Sequence, residues 1–577
     1  MTQTIDAVQA ASPSIRMTHR QVLEALSGLL LGMFVAILAS TVVSTSLPRI
    51  ISDLKGDQTA YTWVVTATLL ATTVTTPIWG KLADLFSRKL LIQLALGIFV
   101  VGSALAGFSQ DTNMLIAFRV VQGVGAGGLT ALSQVIMADI ISPRERGRYM
   151  GLFGGIMAVG TVGGPLIGGL LTDSLGWRWN FYVGVPFAIV AILLLQRTLH
   201  LPKKDARKVS IDYLGAIFLA GGVSLLLIWV SLAGQKGQFA WDSATSFWMV
   251  GGAAALLIAT VIAEMKAKEP IIPLKLFKNR TFTFSVIASI SVGVAMFGTS
   301  VFLSQYMQLA RGATPTQSGL LTLPMIIGLM GSSVIVGQLI SRSGKWKAYM
   351  VVGSVLLTAG LFLMGTISYD TNYVLLSLYM LILGAGVGMV MQNLVLVVQN
   401  VVSPRELGTA SSSVTFFRSL GGTIGVSAMG SVLGSTVASL LTDKSDALKA
   451  AIAKLGKEGI AIAQAMQSGT IPNVSSMPNS VRTIIESVYG ESVAHVFLIA
   501  APLAIITIIA VALIPNNRLG TKTALERMAE SAPGESAAVI EAEGTIFDIS
   551  EAMVAGASTA SVADERRSEE TGGSSGL

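Results

Sequence analysis

The sequence predicts an all-α polytopic membrane protein with fourteen transmembrane helices. Three observations carry this. Apolar runs recur from end to end of the chain, only 12% of the residues are charged where soluble chains average about 25%, and mean hydropathy is +0.69. A bilayer core needs roughly 20 apolar residues per helix. Runs of that kind fall at 25–47, 60–80, 89–108, 112–137, 149–172, 179–199, 211–234, 243–264, 281–308, 318–341, 347–367, 372–398, 409–436 and 492–514.

Orientation follows from charge. Lys and Arg crowd the loops after even-numbered spans and are sparse in the others. By the positive-inside bias the even loops and both termini are expected in the cytoplasm. This predicts a multi-pass protein of the cell membrane, a bacterial inner membrane. Residues 1–20 are polar and the first apolar run continues past Val43, too long for the core of a cleaved signal peptide.

Several chemistries have no residues to support them. The chain has no cysteine, which removes disulfides and thiolate metal sites, and its three histidines, His19, His200 and His495, do not stand at metal-binding spacing. No G-x-x-x-x-G-K-[ST] phosphate loop occurs, nor H-E-x-x-H, nor G-x-S-x-G. We expect no cofactor, no metal and no enzymatic activity. Active transport would then draw on an ion or solute gradient.

Motifs of another kind are present. Between the second and third spans stands GKLADLFSRK, with Gly80 expected at the turn, Asp84 suited to a helix N-terminus, and Arg88 and Lys89 holding the loop inside. The fourth span carries RVVQGVGAGG, with Arg119, Gln122 and Gly123; an arginine inside a span is costly and marks function by default, with snorkelling to the outer surface as the alternative. The fifth carries GTVGGPLIGG, in which Gly160, Gly164 and Gly168 recur every four residues and form a smooth face for helix contact. Pro165 permits a bend there, and Gly169 follows. GWRWNFYVGVP then leads into the sixth span.

These strings resemble the major facilitator superfamily. The hairpin is similar to its G-x-L-A-D-r-x-G-r-k signature, with Ser87 where a second glycine is usual. The fourth span matches R-x-x-Q-G, whose arginine the resemblance links to proton transfer. The fifth matches the antiporter motif G-x-x-x-G-P-x-x-G-G of exporters. With fourteen spans, the chain looks like the drug:proton antiporter branch. The resemblance implies two six-helix halves related by an axis along the membrane normal, with the seventh and eighth spans as an extra pair. It also implies Gly80, Asp84 and Arg88 as a conformational switch.

SPRERG at 142–147 and SPRELG at 403–408, 261 residues apart, fit that duplication. They follow the fourth and twelfth spans, and the glycines upstream also align. Helix-capping chemistry favours Ser-Pro plus Glu anywhere, but it does not align those glycines. GQLISRSGK, Gly337 to Lys345, reads as a degraded copy of the first hairpin with Ser341 in place of the acid.

One residue implied by the resemblance is missing. The first span reads LASTVVSTSLP, with Ala39 at the position of the family's acid and Ser44 at that of its asparagine. No Asp or Glu lies in the middle of any span. Candidates for proton transfer are therefore Arg119, Asp84, Asp139 and the external pair Asp53 and Asp57. Gln122, Gln392, Asn393 and Arg418, among many methionines, are candidates for a promiscuous cavity. Such a cavity suits amphipathic neutral, monocationic or anionic compounds. Arg418 either faces substrate or pairs with a buried polar group.

The expected organisation is a cytoplasmic N-terminus at 1–24, an N-terminal half at 25–199 and a linker with the extra helix pair at 200–280. A C-terminal half at 281–514 with an external loop at 437–491 follows, then a disordered tail at 515–577. After Asn516 the tail has 5 basic and 11 acidic residues, a net of −6. The external loop holds an apolar pattern at helical spacing, either a helix on the membrane surface or a solvated spacer. The expected function is export of hydrophobic or amphipathic toxic compounds by a monomer, with protons and membrane lipid as partners and no nucleic acid. Lipid or glycolipid export is a second transporter reading, and a non-transporting receptor or scaffold a third.

Overall fold

The structure, a computed structural model, describes residues 19–55, 58–199, 212–234, 238–453, 455, 477–524, 526 and 527. Among these residues it is helical, with no strand. The long helices stand where the apolar runs are. They are α1 (His19–Asp53), α2 (Gln58–Leu85), α3 (Arg88–Gly107), α4 (Thr112–Ile140), α5 (Pro143–Ser174), the short α6 (Trp179–Tyr182) continued by α7 (Gly184–Thr198), α8 (Tyr213–Leu232) and α9 (Ala244–Lys266). After a 3₁₀ turn follow α10 (Arg280–Gln305), the short α11 (Pro315–Leu321), α12 (Leu323–Ser343), α13 (Lys347–Met364), α14 (Tyr373–Val401), α15 (Leu407–Asp443), α16 (Ser445–Ala453) and α17 (Asn479–Leu513).

Twelve of the described helices are long and apolar enough to cross a membrane. The other two predicted spans correspond to α2 and α5, of 28 and 32 residues. Threonines dilute the hydropathy of α2, yet four of their hydroxyls are paired. Thr68 donates to Arg119 O at 3.2 Å and Thr72 to Gly123 O at 3.1 Å, both on α4, while Thr75 and Thr76 bond back one turn within α2. A polar helix is tolerated in apolar surroundings when each such group is paired.

Packing sorts the helices into two groups. Helices α1 to α7 pack on one another, as do α10 to α17, and each group has its own apolar core. The groups meet chiefly where α2 lies on α15 and α5 lies on α12. The pair α8–α9 packs on itself and touches α2 and α15 from outside. Its Leu219, Val223 and Leu227 cluster with Val74 and Phe416.

The far end differs from expectation. α15 runs for 37 residues and α17 for 35, about 55 and 53 Å at 1.5 Å per residue, against a hydrocarbon core of about 30 Å. Both therefore enter the stretch read as a loop. α16 lies against α17, with Leu448 and Ile452 packed on Ala451, Val481 and Ile485, and Lys444 pairs with Glu491 at 2.7 Å. The apolar side of α16 is turned to protein and not to a membrane surface. The rest of the predicted surface helix, 456–476, lies outside the described residues, as does Asp57. Asp53 closes α1 as an exposed partner of Arg49 at 3.5 Å.

Candidate gate at the basic end

The Lys- and Arg-rich end of the bundle is where the two groups are stitched together. Gly80 does not sit in a turn. It lies inside α2, which continues to Leu85, and the chain reverses at Phe86 and Ser87. A Cβ on Gly80 would overlap the Ser412 side chain and stand 2.7 Å from Gly408 O. Glycine is required here for close approach to α15 rather than for turn geometry.

That approach positions Asp84. Its side chain is 4% exposed. Oδ1 accepts from the Gly408 amide at 2.8 Å, and Oδ2 accepts from the Thr409 amide at 2.7 Å and the Thr409 hydroxyl at 2.8 Å. The first turn of a helix leaves its amides unpaired and carries partial positive charge. Asp84 therefore caps a helix, as its type suggests, but the helix is α15 of the opposite half rather than its neighbour α3.

Arg88 points back under the loop. It forms an ion pair with Asp139 at the end of α4, lies 3.9 Å from Asp84 and donates through Nε to Ala83 O at 3.2 Å. Arg88 and Asp139 are both buried. Three of the predicted residues, Asp84, Arg88 and Asp139, are thus one cluster.

The repeated hexapeptides complete the seam. Ser142 caps α5, accepting from the Glu145 amide, and Ser403 accepts from the Arg405 amide at 3.3 Å. In the first copy, Arg144 crosses to the opposite hairpin and donates to Ser341 O and Arg342 O at 3.0 Å each. Arg146 donates to the Gln399 side chain, and Gln399 Nε2 donates to Ser411 Oγ at 2.7 Å. In the second copy, Gly408 presents its amide to Asp84. The linker after α9 adds Lys81–Glu269 and Lys275–Glu406, each at 2.6 Å. These pairs are partly exposed and contribute little on their own.

Deeper in the bundle, Arg119 does not reach the surface. It is buried, donating through Nε to Val64 O of α2 at 3.2 Å and through Nη1 to Gln122 Oε1 at 2.7 Å. Gln122 passes the chain on to Ser103 of α3 at 2.7 Å. Arg418 is buried on α15, with one hydrogen bond to Met391 O at 3.4 Å. Asn393 bonds within its own helix to Met389 O at 2.7 Å. Gln392 accepts from Gln134 of the other half at 3.4 Å. The structure thus links Gln122 to Arg119 and Gln392 to the opposite half, but does not bring these four polar residues into one cluster.

The glycine run of α5 faces α1. A Cβ on Gly160 would press on Ile37, one on Gly164 would overlap Thr41, and one on Gly168 would stand 2.8 Å from Val42 O. The bare backbone is used as an acceptor, since Thr41 donates to Gly160 O at 3.0 Å and Ser46 to Gly168 O at 3.3 Å. Gly169 has open space, and α5 continues unbroken through Pro165. Beyond it, Asn180 donates to Ser46 and Thr172 at 2.7 and 2.8 Å, so the string after α5 ties α6 to α1 and α5.

The last turns of the chain also lie here. The expectation of disorder from residue 515 does not hold for 515–524, 526 and 527, which pack against the basic end with Leu519 and Ala524 buried. Burial holds the Arg527 guanidinium below the ordinary arginine range. Residues 528–577 lie outside the described residues. The signal was in the sequence: Thr523 and Glu526 form a cap pair, Thr523 Oγ1 accepting from the Glu526 amide at 3.1 Å and the Glu526 carboxylate from the Thr523 amide at 2.6 Å, with two apolar residues between them in the sequence.

Residues 29–426 match the Major Facilitator Superfamily. The chain is 37% identical over 423 residues to the multidrug transporter protein MdtP of Bacillus subtilis, covering 73% of this chain and 76% of that one. It is 32% identical over 500 residues to multidrug resistance protein 3 of the same organism, covering 86% and 96%. It is 30% identical over 502 residues to the efflux pump dotC of Dothistroma septosporum, covering 86% and 84%. Among solved structures, the proton:xylose symporter XylE superposes with a TM-score of 0.54 at 13% identity, over 89% of this chain and 100% of that one. At that identity the likeness shows the fold alone. Sequence and architecture agree, and the chain belongs to the major facilitator superfamily of membrane transporters.

Proposed function

We propose that this protein exports hydrophobic or amphipathic small molecules, toxic compounds among them, in exchange for protons by alternating access. The observation that carries the reading is the Asp84 carboxylate seated on the first turn of α15. It is a latch between the two groups of helices, made by the last turn of α2 in one and the first turn of α15 in the other. The basic end is taken as cytoplasmic from its Lys and Arg, so the molecule is closed toward the cytoplasm, with both termini on that side. α2 and α5 complete fourteen spans.

Drug export as the cargo class is supported by relatives whose names are multidrug transporter and efflux pump, and by the α5 glycine face on α1. The proton site is assigned to the buried Arg88–Asp139 pair. Protonation of Asp139 breaks the close ion pair and leaves buried Arg88 only the more distant Asp84 carboxylate, at 3.9 Å, as counter-charge, an unfavourable state that is relieved when the hairpin moves. Asp84 is the latch, and Arg119 organises α2, α3 and α4 through carbonyl and amide contacts. Gln392 and Arg418 are assigned to the substrate path, Arg418 because a buried cation with one long hydrogen bond has unused donors.

The test is dye or drug accumulation in everted vesicles from a pump-deleted host. Accumulation should stop when the proton gradient is collapsed. Accumulation that survives full collapse sinks the antiport reading, and Asp139→Asn that keeps its normal pH profile sinks the assignment of the site.

A further inference from the structure

Beyond α17 the chain turns back across the basic end. Trp346 Nε1 donates to Asn517 O at 2.6 Å. Lys347 Nζ holds the end of α17 by Ala512 O and Ile514 O at 2.8 and 2.7 Å. Asn400, the last turn of α14, clasps the next stretch from both sides, with Nδ2 donating to Arg518 O at 3.2 Å and Oδ1 accepting from the Gly520 amide at 2.8 Å. The Arg527 guanidinium then reaches Val402 O and Gln399 O at 3.4 and 3.3 Å. All these partners belong to the C-terminal group.

A backbone hydrogen bond crosses the seam. Gly520 O accepts from the Arg144 amide at 3.3 Å, and Arg144 is the residue whose side chain holds Ser341 and Arg342. Gln399, against which Arg527 rests, is the partner of Arg146. The segment is therefore anchored on one half and sealed against the first turn of α5 on the other.

We propose that residues 517–524, with Glu526 and Arg527, are a brake on the gate: a strap carried by the C-terminal half that seals the seam at Arg144 and must lose that contact each time the basic end opens. The inference rests on the alternating-access reading above. The anchoring bonds to Asn400 and Trp346 lie within one half and survive opening, while the bond to Arg144 does not. A contact made in one state only shifts the population toward that state. Losing one net hydrogen bond at this seam corresponds to a roughly three- to tenfold rise in the open population.

The chain has no cysteine, so paired labels can be introduced without background. Ser87→Cys and Lys345→Cys place one spin label on each exposed loop of the basic end, and pulsed dipolar distances in proteoliposomes read the seam. The variants are the full chain, a chain ending at Met528, a chain ending at Asn516, Asn400→Ala and Arg527→Ala. The Met528 chain keeps the strap and should match the full chain. The Asn516 chain and Asn400→Ala should raise the long-distance fraction about three- to tenfold, with Arg527→Ala between. An unchanged long-distance fraction in Asn400→Ala and Arg527→Ala, with both running as monodisperse species of normal thermal midpoint, overturns the brake; these two decide alone if the Asn516 chain fails to fold. A complete lack of the long-distance component in every chain, with substrate present, overturns alternating access at this end and the brake with it.

Discussion

The Asp84 carboxylate and the Gly408 amide, 324 residues apart in the chain, meet at 2.8 Å. The hairpin after the second span caps the helix that follows the second hexapeptide. Its counterpart joins the first hexapeptide to the second hairpin, where Arg144 holds the Ser341 and Arg342 carbonyls. Each hexapeptide therefore docks on the hairpin of the opposite half. The two seams have the same layout and different chemistry: a carboxylate on amides in one, a guanidinium on carbonyls in the other.

This difference predicts unequal effects of mutation. Asp84→Asn removes the charge and directs an amide NH₂ at donors it cannot accept from. Hydrogen bonds to charged groups contribute about 1.5–3 kcal/mol each, so protection of a pump-deleted host should fall to background. Arg144→Ala also loses bonds made by a charged group, but the side chain is half-buried and water can reach the Ser341 and Arg342 carbonyls it leaves, so protection should fall only severalfold. Inhibitory concentrations at matched expression decide, and equal losses would remove the asymmetry.

The close approach at Gly80 has its own test. Gly80→Ala places a methyl where Ser412 stands, which should lift the hairpin from α15 and lower efflux by tenfold or more. Adding Ser412→Gly removes the overlapping atoms and leaves Gly408 O at 2.7 Å. The double variant should recover part of the activity. No recovery would mean that Gly80 acts through something other than this contact.

For Arg119, shape is expected to matter as much as charge. Its Nε and Nη1 serve two helices at once, and a lysine ammonium is a point charge without that fork. Arg119→Lys should therefore lose most dye efflux. Gln122→Leu leaves Arg119 Nη1 without its acceptor in a buried site, at a cost of about 1–3 kcal/mol, and should lower the unfolding temperature more than the transport rate per folded molecule. A fully active Arg119→Lys would favour a role resting on charge alone.

The span positions were legible because hydropathy is a local property of each run. Partners were not, since no local pattern shows that Asp84 caps a helix from the other half. Gly80 is instructive, because the same residue type serves a turn and a close contact, and only the course of α2 to Leu85 separates the two. The ends of α15 and α17 were missed because they bury apolar side chains against each other and α16 beyond the length a bilayer requires. The strap was hidden by averaging: a net of −6 over the whole tail masks a short capped turn at its start. Arg119 was legible as a functional candidate, but its orientation depended on Val64 and Gln122.

The α5 glycines allow packing to be separated from any further role of the motif. Gly164 and Gly168 abut Thr41 and the Val42 backbone, whereas Gly169 has nothing within 4 Å of a Cβ. If the motif works by close contact with α1, Gly164→Ala and Gly168→Ala should both reduce efflux strongly: at Gly168 the obstacle is Val42 backbone, which cannot step aside, and at Gly164 it is the Thr41 side chain, whose hydroxyl is tied to Gly160 O. Gly164→Ala should be the more readily rescued, by Thr41→Ala, since its obstacle is a side chain. Gly169→Ala should be neutral or slightly stabilising, alanine being about 1 kcal/mol better than glycine inside a helix. The three variants and the rescue can be compared by drug efflux and thermal unfolding on the same preparations. A folded Gly169→Ala that has lost efflux would show that the motif does more than bring α5 against α1.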